Sequence, residues 1–395
     1  MPPPATVTLR PRGVARLRAG HPWVYRSDLA STGGAALGSL VRVADPRGKF
    51  LGSALYSSSS EIAIRLLTTR ELTGADDLLA LLRQRLLAAL EYRRRVVRDS
   101  DACRLVFSEA DGLPGLIVDR YNEIISLQAL TQAMDQPTIK DTLVATLVEA
   151  LSPASVVERV EPRIRELEKL PPRPGGPLYG DLARTVITMN QVRFHYEALG
   201  GQKTGLFLDQ RENYAAASQY ARGDALDVCC YQGGFSLHLA RAGCKVTGVD
   251  SSRPALEVAE QNAALNALPE MEWIEANAFD LLKDYAAAGR RYDTIVLDPP
   301  PFARSKSALA TALRGYKELN LRALKMLRPG GLLVTCSCSF HVGPTDFLEM
   351  LAAAALDAHR SLRLVEQRSQ SNDHPIVPAI PETAYLKCLI VIVSD

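Results

Sequence analysis

The strongest constraint on the fold is an alternation of apolar strands and amphipathic helices that starts near Asp209. Ala225 to Val228 is followed by Phe235 to Ala242, Lys245 to Val249 by Pro254 to Leu265, and Glu272 to Ile274 by Phe279 to Ala288. Thr294 to Leu297 then leads to Leu309 to Leu327, and Leu332 to Val334 to Thr345 to Ala358. Five such βα units in series predict an α/β domain on a doubly wound, mostly parallel sheet, with ligands outside the carboxyl ends of the strands. The apolar run Tyr385 to Val393 predicts a last strand added antiparallel to that sheet.

Upstream the pattern differs. Thr6 to Leu9, Leu40 to Val43, Leu51 to Leu55 and Ile62 to Leu67 read as short strands punctuated by Gly33-Gly34, Asp45-Pro46 and the serines from Ser57 to Ser60, which predicts a small β-barrel. Leu78, Leu79, Leu82, Leu86, Leu90 and Val97 recur at helical spacing and predict one long helix over Ala75 to Val97. Strands at Leu105-Phe107, Leu116-Val118, Ile124-Leu127, Val156-Val160 and Val192-Tyr196, with a helix near Thr138 to Leu151, predict an α+β connector. Pro171 to Pro177 reads as a surface loop. The expected domains are 1–72, 73–198 and 199–395.

A net charge of +2 conceals an asymmetry. Through residue 70, ten basic residues (Arg10, Arg12, Arg16, Arg18, Arg26, Arg42, Arg47, Lys49, Arg65 and Arg70) stand against Asp28, Asp45 and Glu61, a balance of +7 that leaves −5 for the rest. A small basic module on a mildly acidic body reads as an anion-docking element, the plain alternative being a solvated basic face. No apolar run reaches the ~18 residues of a membrane span, and Met1 to Arg10 lacks a signal-peptide core, so a cytoplasmic protein with no membrane partner is expected. Seven scattered cysteines without a C-x-x-C pair or a histidine at ligand spacing predict free thiols and no metal site.

The first strand of the doubly wound domain runs into Asp227-Val-Cys-Cys-Tyr-Gln-Gly-Gly-Phe-Ser236, where Gly233 and Gly234 let the backbone approach a ligand. Asp250, at the end of the second strand, can accept both hydroxyls of a ribose. A dinucleotide site needs a glycine at the first G-x-G-x-x-G position, and this turn has none there, so S-adenosylmethionine fits better than NAD. Asn277-Ala278-Phe279 follows the third strand, placing an amide to read an adenine edge. Asp227, Tyr231, Gly233, Gly234, Asp250, Asn277 and Ala278 are therefore the expected cofactor set.

The fourth strand ends in Leu297-Asp298-Pro-Pro-Pro-Phe302, whose prolines fix the direction of Asp298. A carboxyl group with an aromatic neighbour suits a flat heterocycle: Asp298 bonds a ring nitrogen or amino group and the ring packs on Phe302. The fifth strand follows Arg328-Pro-Gly-Gly331 and ends Thr-Cys-Ser-Cys-Ser339, with Cys336 and Cys338 on one face. Buried cysteine is commonly a small hydrophobe. Facing a pyrimidine beside a methyl donor, however, a thiolate can add at C6 and make C5 nucleophilic; loss of the C5 proton and elimination of the cysteine complete the cycle.

In this order, Gly201-Gln-Lys-Thr-Gly-Leu-Phe-Leu-Asp-Gln-Arg211, Cys230-Tyr-Gln-Gly-Gly-Phe235, Asp250, Asp298-Pro-Pro-Pro-Phe302 with Lys306, and Thr335-Cys-Ser-Cys-Ser339, the chain resembles the bacterial large-subunit (23S) rRNA cytosine-C5 methyltransferases. Arg12-Gly13, Gly20-His-Pro-Trp-Val24 and Asp45-Pro-Arg-Gly-Lys-Phe50 resemble that family's N-terminal PUA segment, and Asp373-His-Pro375, Pro381-Glu382 and Tyr385-Leu-Lys387 its C-terminal end. The resemblance implies a PUA-like RNA-binding domain, a small α+β domain and a Rossmann-like class I methyltransferase domain. It also implies a loop from Lys203 to Arg211 over S-adenosylmethionine, with Asp209, Gln210 and Arg211 near the methionine end. Its strand-end cysteine, seven residues after the glycine pair, is Cys338, with Cys336 ranked second. Other subfamilies carry a second cysteine where this chain has Pro300, so Asp298 or a water has to serve as base.

The implied partner is 23S rRNA, naked or in a partly assembled large subunit, held by Arg12, Arg16, Arg18, His21, Trp23, Arg26, Lys49, Phe302 and Lys306, with the target base extruded into the pocket. A homodimer is one option for the assembly. Competing readings are methylation of a base nitrogen gripped by Asp298 with the cysteines structural, a non-catalytic RNA-binding assembly factor, and a nicotinamide-dependent oxidoreductase, which the missing glycine disfavours.

Overall fold

The computed structural model describes residues 4–199, 205–303 and 305–394. The chain divides into two compact units: 1–187 with 196–205 and 372–383, and 188–195 with 206–371 and 384–395. The barrel and the α+β connector thus belong to one unit, and the run 372–383, placed with the last domain by sequence order, joins them. The reason is local: Asp373 accepts the Arg104 amide at 2.8 Å, and its carbonyl takes the buried Arg93 guanidinium, also at 2.8 Å.

In the first unit a six-stranded sheet runs Trp23–Tyr25, Ile62–Thr68, Phe50–Tyr56, Leu40–Ala44, Ala5–Leu9, Leu29–Ser31 in spatial order. Val7, Val24, Val41, Val43 and Ile64 fill its interior. Where sequence periodicity predicts only strands, residues Pro11–Arg18 form a helix. Pro11 opens it with its φ already helical, and Val14, one of the few apolar residues on it, is its buried anchor, too short a pattern to read in advance. The connector is a five-stranded sheet from Gly176–Tyr179 to Ala102–Phe107, packed on the helices Ala75–Val96 and Pro137–Leu151 through Leu82, Leu86, Val118, Leu127, Leu143 and Leu147. The proline-rich loop is shorter than expected, because Gly176 and Pro177 already pair as an edge strand with Glu158 and Val157.

The second unit carries the seven-stranded sheet. Its strands are β1 (Asp224–Val228), β2 (Lys245–Asp250), β3 (Glu272–Glu275), β4 (Tyr292–Leu297), β5 (Leu327–Ser337), β6 (Ser361–Arg368) and β7 (Lys387–Ser394). Their spatial order is β3-β2-β1-β4-β5-β7-β6. The first five are parallel and β7 is antiparallel to β5, as the sequence predicts. Its helices are α1 (Arg211–Tyr220), α2 (Gly234–Arg241), α3 (Arg253–Leu265), α4 (Ala278–Ala287), α5 (Leu309–Met326) and α6 (Pro344–Asp357). Ile295, Leu333 and Val391 of the sheet pack with Tyr316 and Leu319 of α5 and Phe347 and Leu351 of α6. Parallel strands put the ends of β1, β2, β4 and β5 on one edge, and the antiparallel β7 brings its beginning to that edge as well. Among the described residues no helix is long and apolar enough to cross a membrane.

Candidate active site

The turn after β1 is bent to a purpose. Cys229 (φ 66°), Tyr231 (φ 50°) and Gly233 (φ 87°) are left-handed, a conformation that costs a non-glycine residue about 1 kcal/mol or more. The Tyr231 amide donates to Asp250 Oδ2 at 2.9 Å, and the Ser252 amide donates to Oδ1 at 2.9 Å. Each oxygen of Asp250 keeps a lone pair, enough for a diol. At Gly234 a Cβ would lie 2.5 Å from the Tyr214 ring, so only glycine opens α2 here. Asp227 is sealed under the turn: its Oδ2 accepts the Ser236 amide at 2.9 Å and hydroxyl at 2.6 Å, and its Oδ1 has no partner among the described residues. Burial raises its pKa to about 7.

Leu206, Phe207, Tyr214, Cys229 to Gln232, Gly234, Phe235 and Asp298 line one cavity. Phe207 meets Tyr231 edge to face at 5.1 Å, and the Tyr214 hydroxyl donates to the Phe207 carbonyl at 3.3 Å. Beside it a second cluster converges. Gln210 Nε2 donates to Asp298 Oδ1 at 3.0 Å, and Asp209 Oδ2 accepts the Tyr385 hydroxyl at 2.7 Å. Burial, then the charges of Asp209 and Asp227, push Asp298 up to about 8 against the Gln210 hydrogen bond, so at neutral pH it is mostly a neutral acid that can donate a proton.

The two strand-end cysteines part company. Cys336 is fully buried and faces Cys388 across the β5–β7 pairing. Cys338, one pleat on, is half-buried, with its thiol 3.9 Å from the Pro299 carbonyl. Burial, with Asp298 and Asp209 adding, pushes that thiol up to about 12, and Lys387 opposes them. Ser339 ties the two loops together, its Oγ accepting the Ala303 amide at 3.1 Å and lying 3.0 Å from the Tyr316 hydroxyl.

Other expected residues are placed differently. Asn277 spends its Oδ1 capping α4, accepting the Phe279 amide at 2.9 Å and that of Asp280 at 3.4 Å, which leaves its Nδ2 for a ligand; Ala278 opens the helix. Arg211 is buried at the start of α1, 3.3 Å from Glu212. Phe302 packs on Tyr316 at 4.6 Å and Phe279 at 5.8 Å, inside an aromatic row. Lys306 is exposed, while Lys203 lies outside the described residues. In the first unit Arg18 and Lys49 stand in solvent and Arg16 lies over Tyr25 at 4.6 Å. Arg12 pairs with Asp28 at 2.6 Å and His21 with Glu382 at 3.2 Å; Trp23 donates to Glu109 at 2.9 Å, and Arg26 to the Ser57 and Ser60 carbonyls at 3.0 and 2.7 Å.

Sequence reasoning gave no role to Tyr214, Ser236, Tyr385 or Lys387. The last two were legible in principle: an antiparallel final strand beside β5 must bring its first residues to the cysteine end.

S-adenosylmethionine asks for a diol acceptor, a turn whose backbone can be closely approached and polar groups at the methionine end. Asp250, the Gly233-Gly234 turn, and Asp209, Gln210 and Asp298 offer these, so the residues present fit the group.

A family model described as a PUA-like domain matches residues 7–69, and one described as S-adenosylmethionine-dependent methyltransferase matches residues 126–392. The ribosomal RNA large subunit methyltransferase I of Photobacterium profundum is 38% identical over 94% of this chain and 95% of that protein. That of Shewanella amazonensis is 37% identical over 97% and 98%. The crystal structure of SMU.776, assigned as a methyltransferase and complexed with SAH, covers 98% of the chain with a TM-score of 0.82; at 18% identity it speaks to the fold alone. With the doubly wound sheet, the glycine turn and near full-length relatives in agreement, the chain belongs to the S-adenosylmethionine-dependent methyltransferase family, among the ribosomal RNA large subunit methyltransferase I proteins.

Proposed function

We propose that the protein methylates C5 of a cytosine in large-subunit (23S) ribosomal RNA, with Cys338 as the nucleophile. The single observation that carries this reading is the contrast between the two strand-end cysteines: of the pair, Cys338 combines partial exposure with a place beside Asp298, whereas Cys336 is sealed against Cys388.

S-adenosylmethionine, when bound, supplies the methyl group and a positive sulfonium. The chain's own residues do the rest. Asp250 and the glycine turn hold the nucleoside end, and Asp209 and Gln210 order the other. Asp298, protonated at neutral pH, donates to N3 of the base and draws electron density from the ring as the Cys338 sulfur adds to C6. Removal of the C5 proton then lets the ring re-form its double bond and release the cysteine. The exposed cations Arg18 and Lys49 suit phosphate contacts, which position RNA without reading its sequence. Either naked rRNA or a partly assembled subunit can present the base to this site.

Methylation of a base nitrogen is the second reading, favoured by the desolvated Asp298 and the high-lying thiol. Cys338→Ser separates the two in an assay of methyl transfer to rRNA fragments, with nucleoside mass spectrometry of the product. C5 chemistry requires that transfer stop; full transfer by the variant sinks the covalent mechanism.

A further inference from the structure

Asn213, on the first turn of α1, is buried, and both ends of its side-chain amide are engaged. Its Oδ1 accepts from Arg368 Nε of β6 at 2.9 Å, and its Nδ2 donates to the Ser369 carbonyl at 3.1 Å and to Gln210 Oε1 at 2.7 Å. Gln210, also buried, in turn donates from Nε2 to Asp298 Oδ1 at 3.0 Å. A side-chain amide can turn either end to a neighbour, so its partners decide its orientation. Here both outer partners are one-way: a guanidinium only donates, and a backbone carbonyl only accepts. Asn213 therefore has to face Gln210 with an N–H, Gln210 has to answer with its oxygen, and the end left for Asp298 is a donor. The run from Arg368 through Asn213 and Gln210 to Asp298 thus has one polarity, fixed from β6. Arg368 is itself anchored by Glu366 at 2.6 Å.

That polarity makes the two oxygens of Asp298 unequal. Oδ1 receives the Gln210 amide, so in the neutral acid Oδ1 is the carbonyl oxygen and the proton sits on Oδ2, which has no hydrogen-bond partner among the described residues. The side chain keeps a partial exposure at the end of β4, where a base can reach it. A network that only tied α1 to β6 would be indifferent to which end of Gln210 meets Asp298.

We propose that Asn213 and Arg368 are positioning residues that fix the Gln210 amide so that Asp298 presents Oδ2–H to the base, and that this polarity selects cytosine over uracil. The inference rests on the C5 reading above. Cytosine N3 carries a lone pair and accepts from the hydroxyl; uracil N3 carries a hydrogen and meets it donor to donor. The surroundings favour the neutral acid. Asp227 from β1, Cys229 from the turn after it, Asp209 from the turn before α1, Tyr214 from α1, and Cys336 and Cys338 from the end of β5 stand around Asp298, and none of them is a cation. Burial and the charges of Asp209 and Asp227 raise the acid, and the Gln210 bond opposes them.

Asn213→Asp tests the polarity in the full chain. The new side chain has the same shape and stays paired with Arg368, but it has no N–H. Gln210 must then turn its donor to position 213 and its oxygen to Asp298, whose proton moves to Oδ1 to meet it. Oδ2 is left as an acceptor, which suits uracil N3–H. The measurement is methyl transfer to an rRNA fragment and to the same fragment with uracil in place of the cytosine that the wild type methylates, each quantified by nucleoside mass spectrometry. In Asn213→Asp the ratio of kcat/KM for cytosine over uracil should fall by about 10-fold or more, with kcat on cytosine lowered. Arg368→Lys, which keeps a cation that only donates, should hold the wild-type ratio. General damage to the site slows both fragments alike, so an unaltered ratio in a folded Asn213→Asp protein overturns the proposal, as does a uracil product that stays undetected. If that variant does not fold, Asn213→Ala, which releases the Gln210 amide without adding charge, is read by the same ratio. The two readings fail separately: an active Cys338→Ser removes the C5 mechanism, whereas an inactive Cys338→Ser with an unaltered Asn213→Asp ratio removes only the role of the relay.

Discussion

The exposed cations of the barrel and the strand-end cluster are opposite solutions to handling charge. Arg18 and Lys49 stand in water with no side-chain partner among the described residues. Asp227, Asp298, Cys338 and Lys387 are desolvated, and burial moves every one of them toward its neutral form. Solvated charges act additively and are screened by salt. Desolvated groups set one another's protonation, so removing one changes the rest. The same difference predicts where substitutions are catastrophic and where they are graded.

Cys338→Ser should give the largest effect, a loss of more than about 10³-fold in kcat, because a serine hydroxyl at this acid-rich site is a far poorer nucleophile. Asp298 comes next. Its pKa of about 8 makes the donor to N3 available at neutral pH and removes it as pH rises, so kcat should fall through pH 8. Asp298→Asn keeps an N–H donor that does not titrate; it should cost about 10²-fold at neutral pH and abolish the alkaline fall. The sign for stability is the same. A carboxyl raised by folding contributes stability that is full below the ordinary carboxyl range and lost as pH rises through about 8. Urea titrations of the cofactor-free protein should therefore show stability declining over that window, less steeply in Asp298→Asn. A flat wild-type curve contradicts the desolvated acid.

Gly234→Ala tests the cofactor turn. The new Cβ meets the buried Tyr214 ring at 2.5 Å, and that ring packs edge to face on Phe235 at 4.7 Å, so it cannot yield freely. A loss of about 1–3 kcal/mol in stability is expected, together with weaker S-adenosylmethionine binding by calorimetry. Unchanged affinity would move the cofactor away from this turn.

Much of this was legible in the chain. β1, β2, β4 and β5 are apolar runs ended by Asp227-to-Ser236, Asp250, Asp298 and Cys338, and a parallel sheet is bound to gather such endings on one edge. Elements without an apolar pattern escaped. β6 is an edge strand whose residues are mostly exposed or half-buried, and the helix Pro11–Arg18 buries only Gly13 and Val14. Roles set by partners were hidden as well. Asn277 also spends its oxygen capping α4, which leaves only its Nδ2 for an adenine edge, and the Arg26 guanidinium, expected at a phosphate, is held by two carbonyls. Lys387 was visible only as part of a C-terminal motif; its burial on the Ser339 and Tyr385 carbonyls follows from the register that sets it opposite Ser337.

The smallest effects belong to the barrel. Arg18→Ala and Lys49→Ala should each weaken binding of an rRNA fragment by a few-fold at about 0.1 M salt, roughly additively, since neither side chain has a protein partner to disturb. The slope of log affinity against log salt should become shallower by about 0.7–1 for each phosphate contact removed. The turnover rate at saturating RNA should stay unchanged in both variants, because neither residue takes part in the strand-end cluster. Arg26→Ala is the internal control: its guanidinium holds the Ser57 and Ser60 carbonyls, so it should lower the melting temperature of the protein and leave the salt slope alone. A salt slope that responds to Arg26 but not to Arg18 or Lys49 would place the RNA on a different face of the barrel and dissolve the contrast between solvated docking charge and desolvated chemistry.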